Sequence, residues 1–318
     1  MKRNILIVLF FPMILTSQSL SVEMQDLFNL KQYQKAEILA NEFLKKNPDN
    51  LEAIELLGDT YGFQKKWDEA IVAYKKLVEA KPEVADYHYK YGGVIGMKAL
   101  SISKFKAAGL IGDLKSSFLK AAELDPNHIE ARWALVELYM QLPGIIGGSK
   151  KKSLKFANEL QNLSEVDGYL AKGYIYEYDD DFELAEENYK KAVLVGGSKT
   201  CFQKLINLYE NNNKPHLAIA LVNEAMQKFD DILLSYQYAK LSAQHNIQVE
   251  RGILHINKCL ESKTISDKVP IEWVFLRKAQ LLRLKNDKDQ ALIFINKALD
   301  TNSNFNEAKT EKRLILDL

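Results

Sequence analysis

The chain reads as an all-α fold of stacked helix pairs, an α-solenoid, on three observations. Alanine-centred apolar periodicity of helical spacing recurs from Tyr33 to Leu299. Pro48 and Pro82, each at the close of such a pattern, stand 34 residues apart, so the pattern is a repeat. Glycine and proline are scarce, at 15 and 7 of 318 residues, which leaves most helical patterns uninterrupted.

The first residues do not share this pattern. "MKRNILIVLFFPMILTSQSLS" places Lys2 and Arg3 before an apolar run from Ile5 to Leu15 and a small-polar stretch. That order is the layout of a secretory signal peptide, and the run is too short to span a bilayer. Ser17 and Ser19 suit the positions before a cleavage point, so residues 1–19 are expected to be a leader and 20–318 the mature solenoid domain. The mature chain, without Lys2 and Arg3, has a net charge of −1. This predicts an exported protein, periplasmic or secreted, with no membrane span in its mature form.

The repeat is clearest when "NLEAIELLGDTYGFQKKWDEAIVAYKKLVEAKP" is set beside "VDGYLAKGYIYEYDDDFELAEENYKKAVLV". Gly58 and Tyr61 correspond to Gly173 and Tyr176, Trp67 and Ala70 to Phe182 and Ala185, and Tyr74 to Tyr189. Ala36, Ala218 and Ala291 occupy the same place as Ala70 and Ala185 in three further units. A small residue there lets the second helix of a pair approach its neighbour, while larger apolar residues interlock on either side. Eight pairs and a final helix are expected. The first pair is weak because its leading helix adjoins the leader, and the seventh is degenerate, with Gly252 where alanine is expected. The tail "NFNEAKTEKRLILDL" reads as a helix that covers the apolar face of the last pair.

Two units are long. Pro82 and Pro126 are 44 residues apart, and the surplus lies in "MKALSISKFKAAGLIGD". A first helix prolonged to an end near Gly109 is expected there. The other long unit contains "QLPGIIGGSKKKSL", whose glycines, serine and lysines invite comparison with a phosphate-binding loop. That comparison fails. The preceding segment has helical periodicity through Ala131, Leu135, Leu138 and Leu142, and Ser149 stands where the second glycine of the motif belongs. The stretch is expected to be a lengthened turn in the fourth unit. Pro143 stops one helix and Ser149 caps the next. Amides at that helix start, with Ser149, Lys150 and Lys151, are the candidate anion contact.

This pattern resembles the tetratricopeptide repeat, a helix-turn-helix unit of the same length, and the resemblance covers essentially the whole chain after the leader. It implies a right-handed superhelix of about eight such repeats plus a C-terminal capping helix. It also implies that first helices line a concave side where a peptide or protein partner binds. On that face the spacing proposes Glu52, Glu55, Asp59 and Phe63 in the second unit, Tyr89 and Met97 in the third, and Trp133, Glu137 and Met140 in the fourth. Tyr174, Glu177 and Tyr178 follow in the fifth and Asn207 in the sixth. The face is aromatic and acidic, suited to basic or polar segments. The alternative is a small-solute binding accessory protein, with a closed apolar pocket between Ala99–Lys106 and the turn at 143–149.

Charge and motif spacing narrow the function classes further. With 43 Lys+Arg against 42 Asp+Glu, the chain lacks the basic excess of a nucleic-acid binder. His88, His128, His216, His245 and His255 form no closely spaced pair on one helical face, so no metal or other cofactor is expected. Asp179 to Asp181 fall in a predicted turn and there is no GxSxG, so no enzyme is expected. Cys201 and Cys259 sit in apolar helical patterns, where they are expected to be small buried side chains.

Overall fold

The computed structural model describes residues 13–318, with side chains from Leu20 onward. The expected leader lies largely outside the described residues. Helix α1 (Met13–Asn29) runs through the expected cleavage point. Just beyond it Leu20 and Met24 are buried, packed with Ala36, Ala40 and Ala53.

Among the described residues the elements are all helical and alternate as pairs. After α1 come α2 (Tyr33–Lys46), α3 (Leu51–Phe63), α4 (Trp67–Ala80) and α5 (Ala85–Ser101). The chain continues through α6 (Lys104–Ala108), α7 (Ile111–Leu124), α8 (Ile129–Gln141) and α9 (Lys150–Leu163). A second set comprises α10 (Glu165–Tyr178), α11 (Phe182–Gly196), α12 (Lys199–Asn211), α13 (Pro215–Lys228) and α14 (Ile232–His245). It closes with α15 (Val249–Glu261), α16 (Ile271–Leu284), α17 (Lys288–Thr301) and α18 (Asn306–Leu316). The chain divides into two compact units at Ser164/Glu165, each a stack of four pairs. The second ends in α18, which packs on α16 and α17.

One rule of packing organises both units. The fourth residue of every second helix is buried: Ala36, Ala70, Leu114, Ser153, Ala185, Ala218, Gly252 and Ala291. Gly252 is therefore no defect. A Cβ on it would lie 2.7 Å from Ser242 Cβ and 2.9 Å from Leu281 Cδ2, so α15 has closed in until not even alanine fits without movement. Gly58 and Gly173 serve the opposite partner. Their missing Cβ atoms make room for the rings of Tyr74 and Tyr189, which are buried beneath the first helix.

The turn inside each regular pair is also uniform. Lys31, Lys65, Asp180, Asn213 and Asn286 are left-handed, with φ between 52° and 60°, each two residues before its second helix. The next amide donates back to the carbonyl five residues earlier, as in Lys66 N to Tyr61 O at 2.9 Å and Asp181 N to Tyr176 O at 2.9 Å. This is a Schellman closure, and it satisfies carbonyls that the helix end would leave orphaned. Asp181, Asp287 and Ser198 then accept an amide proton as caps of their helices. Asp181 is thus a capping residue of the "DDD" turn.

Both long units depart from this closure. The expected single long helix in the third unit is corrected to two. Helix α5 ends at Ser101, Ile102 is extended (φ −119°, ψ 173°), and α6 is a separate turn of five residues before Gly109. A β-branched residue between two serines, with no apolar stripe to bury beyond Ala99, does not sustain the helix. In the fourth unit Gly144–Ile146 form a short 3-10 turn between Pro143 and Gly147, the latter at φ 104°. Gly148 folds back so closely that a Cβ would fall 1.7 Å from the Leu142 carbonyl oxygen. Ser149 Oγ accepts from Lys152 N at 3.3 Å, as expected of the cap. The segment joins two helices, which settles the phosphate-loop comparison against it.

Cys201 and Cys259 are free and buried, and burial pushes the Cys259 thiol up to about 12. The capping helix buries Ala308 and Ile315 against Leu276, Ala298 and Phe305. Glu311, also buried, pairs with Arg283.

Candidate functional site

In the N-terminal unit the candidate side chains sit on α3, α5 and α8. Glu55 and Asp59 lie one turn apart on α3, and both bond the Lys90 ammonium of α5, at 2.6 and 3.0 Å. Burial disfavours the Lys90 ammonium, but Asp59 and Glu55 outweigh it and hold its pKa above the ordinary lysine value. Tyr74 donates its hydroxyl to Asp59, and burial with that carboxylate alongside pushes the phenol far upward, so it stays a donor. The acidity expected of this face is thus largely consumed within it.

Phe63, the last residue of α3, is half-exposed, stacks on Tyr33 at 5.0 Å and packs at a tilt against Phe28 at 5.1 Å. These rings cover the turn of the first pair. Tyr89 packs on Phe118 and His128, at 5.9 and 5.0 Å. Burial, then Glu130 and Glu137, raise its pKa. Met97 is half-exposed in the last turn of α5. Glu52 and Glu137 are exposed, while Trp133 and Met140 are partly buried on α8.

In the C-terminal unit the candidates form a tighter patch. The Tyr174 and Tyr178 rings are in contact at 6.0 Å, and Tyr178 is 51% exposed. Glu177 accepts the Tyr189 hydroxyl at 2.8 Å and the Asn211 carboxamide at 3.5 Å. Burial, followed by Glu177, drives the Tyr189 phenol upward. Asn207 is exposed and accepts from Gln203 Nε2 at 2.7 Å. Gln203, Asn207 and Asn211 therefore make a stripe of three carboxamides, one turn apart on α12, beside the tyrosines of α10. Beside Asn211 on α12, Glu210 binds Lys240 at 2.8 Å and Gln237 at 3.0 Å, both on α14 of the next pair.

The spacing argument missed Lys90, Gln203 and Asn211. The carboxamides carry a sequence signal, since Gln203, Asn207 and Asn211 are spaced i, i+4, i+8. Lys90 carries none, because its pairing depends on two helices more than thirty residues apart in the chain.

The segments expected to enclose a pocket face outward instead. Phe105 is 92% and Ile145 96% exposed. They form an open edge, and the small-solute reading draws no support from them. Of the candidate anion contacts, Ser149 caps α9, Lys151 is exposed and Lys150 is partly buried. Among the described residues no group of three His, Cys, Asp or Glu could hold a metal ion, and no helix is long and apolar enough to cross a membrane.

The tetratricopeptide repeat model matches residues 51–84 and 166–195, the pairs α3/α4 and α10/α11. These two pairs are similar to the tetratricopeptide repeat, and the whole is an all-α solenoid of stacked helix-turn-helix units with a capping helix. The chain is 25% identical over 195 residues to the DnaJ protein P58IPK homolog B of Oryza sativa subsp. japonica, matching 59% of this chain and 40% of that protein. The match therefore spans well under half the length of the rice protein. Among solved structures it is similar to a tetratricopeptide repeat protein of Parabacteroides merdae, with a TM-score of 0.48 and 13% identity over 94% of this chain and 98% of the other. It is also similar to a thermophilic one from Thermus thermophilus, with a TM-score of 0.43 and 18% identity over 71% of this chain and 98% of the other.

Proposed function

We propose that the protein is a non-enzymatic, exported scaffold that holds an extended peptide or protein segment along its first helices. The observation that carries this is the patch of Tyr174, Tyr178, Gln203, Asn207 and Asn211 in the C-terminal unit. Carboxamides both donate and accept, and in a stripe they suit the backbone of an extended chain. Neighbouring tyrosines supply contact area with few rotatable bonds to immobilise. Trp133, Glu137 and Met140 on α8 would form the corresponding contacts in the N-terminal unit.

The test is selection of binding peptides from a displayed random library, followed by affinity and melting measurements on Tyr174→Ala, Asn207→Ala and Trp133→Ala. Each is expected to weaken binding, by about 2 kcal/mol for an aromatic anchor, with melting nearly unchanged. Wild-type affinity in all three variants would reject the site. Export is supported by the charged-apolar-small order of residues 1–19. N-terminal sequencing of protein from the native host should find a start at or near Leu20, and a start at Met1 in the cytoplasmic fraction would refute it.

A further inference from the structure

The connections inside the third and fourth pairs are the most exposed apolar points of the N-terminal unit. Phe105 stands 92% exposed on α6, Leu100 is 76% exposed at the end of α5, and Ile145 is 96% exposed on the turn after α8. All three lie in first-to-second-helix connections of consecutive pairs, so the antiparallel alternation puts them on one edge of that stack. The two connections are also neighbours. A Cβ on Gly147 would lie 3.6 Å from Lys115 Nζ, and Lys115 is in the first turns of α7, the helix that α6 leads into.

The charge of these segments is one-sided in a chain that is otherwise balanced. Residues 97–112 hold Lys98, Lys104 and Lys106 with no acid, and residues 142–158 hold Lys150, Lys151, Lys152 and Lys155 with no acid. Lys98 pairs with Asp68 and Lys155 with Glu159, and Lys152 lies over the Tyr139 ring. Among the described residues Lys104, Lys106, Lys115 and Lys151 enter no ion pair, and the nearest acid in the chain is Asp113 for the first three and Glu159 for Lys151.

We infer that this edge docks the protein peripherally on a membrane surface containing anionic lipid. Protruding apolar tips flanked by unpaired lysines fit a soft interface that closes around them. A folded protein partner would need a matching pair of pockets for two separate tips. The apolar side chains enter the boundary between headgroups and acyl chains, and the lysines remain at the phosphate level. Neither signal suffices alone, because one or two apolar side chains partition weakly and each lysine near an anionic surface adds roughly a fivefold factor.

The experiment is a vesicle flotation titration on the full chain. It compares vesicles of phosphatidylcholine alone with equimolar phosphatidylcholine and phosphatidylglycerol, at low and high salt. Two variants accompany the wild type: Phe105→Ser with Ile145→Ser, and Lys104→Ser with Lys106→Ser and Lys151→Ser. The apolar run from Ile5 to Leu15 is common to all three and contributes a background independent of the substitutions. Anionic vesicles are expected to bind the wild type more tightly than neutral ones, with the difference abolished by high salt. Each variant is expected to lose affinity for anionic vesicles by about tenfold or more. Unchanged melting verifies that the exposed substitutions leave the fold intact. Equal binding of the wild type to neutral and anionic vesicles, or wild-type affinity in both variants, overturns the inference and leaves a protein partner as the occupant of this edge. Tyr174→Ala should not alter flotation, so the groove and the edge fail or stand separately.

Discussion

Gly173→Ala should destabilise the protein although alanine is the better helix former. The position is inside α10, where the exchange alone gains about 1 kcal/mol. The added Cβ, however, would stand 2.4 Å from two ring carbons of Tyr189 and 2.9 Å from a third. That ring is fully buried, and its hydroxyl is held by Glu177 at 2.8 Å. Restoring ordinary contact requires the ring to retreat by nearly 1 Å, which strains the core and stretches the bond to Glu177. Overpacking of this kind costs about 1–3 kcal/mol. A contact this short belongs at the upper end, so the net loss is about 2 kcal/mol. Gly58→Ala is the internal control. Its Cβ would meet the Tyr74 ring at 3.0–3.3 Å, a conflict that small shifts relieve, so the helix gain cancels the cost to within about 0.5 kcal/mol. Urea unfolding midpoints give the comparison. Hydrogen exchange of α10 and α11 amides guards against the non-cooperative unfolding that repeat stacks can show. If Gly173→Ala is as stable as the wild type, or Gly58→Ala loses more, the packing argument is wrong.

Ala70→Leu and Ala185→Leu should each lower stability by about 1–3 kcal/mol, since both alanines are fully buried at the fourth position of a second helix. Unchanged denaturant midpoints in both would show the register to be wrong. Asp231 should supply an acid-sensitive part of the stability. Burial would raise its carboxyl pKa, but Lys199, the Leu233 amide and Lys268 outweigh that and hold it at about 2, below the ordinary 3.8. The folded pKa is the lower one, so the contribution is complete above about pH 4 and disappears as pH falls toward 2. Allowing for the half-exposed lysines it amounts to about 1–2 kcal/mol. Melting of Asp231→Asn from pH 5 down to about pH 2 should therefore converge on the wild type, and a constant gap across that range would refute the assignment.

Local chemistry made most of the architecture legible in the sequence. The small residue at the fourth place of a second helix follows from the distance between packed helices, and five alanines satisfy it visibly. Gly58 and Gly173 announce the rings of Tyr74 and Tyr189 because a close approach has only one side-chain solution on each partner. Ser149 as a cap, and Pro143 as a stop, depend on nothing beyond their neighbours in the chain. The Schellman turns were less visible, because lysine, aspartate and asparagine occupy a left-handed position that glycine would advertise. The tertiary structure alone decided how the faces are spent. Glu55 and Asp59 look like free acids along α3, yet Lys90 reaches them from the next pair. Phe63 looks like an anchor, yet it stacks over a turn made by Phe28 and Tyr33. Gly252 looks like a lapse in the repeat, yet Leu281 from the following pair fills the space. The division has a physical cause. Periodicity, caps and breaks are set within a few residues, whereas which charge is neutralised and which ring is covered depends on helices that meet only after the pairs have stacked.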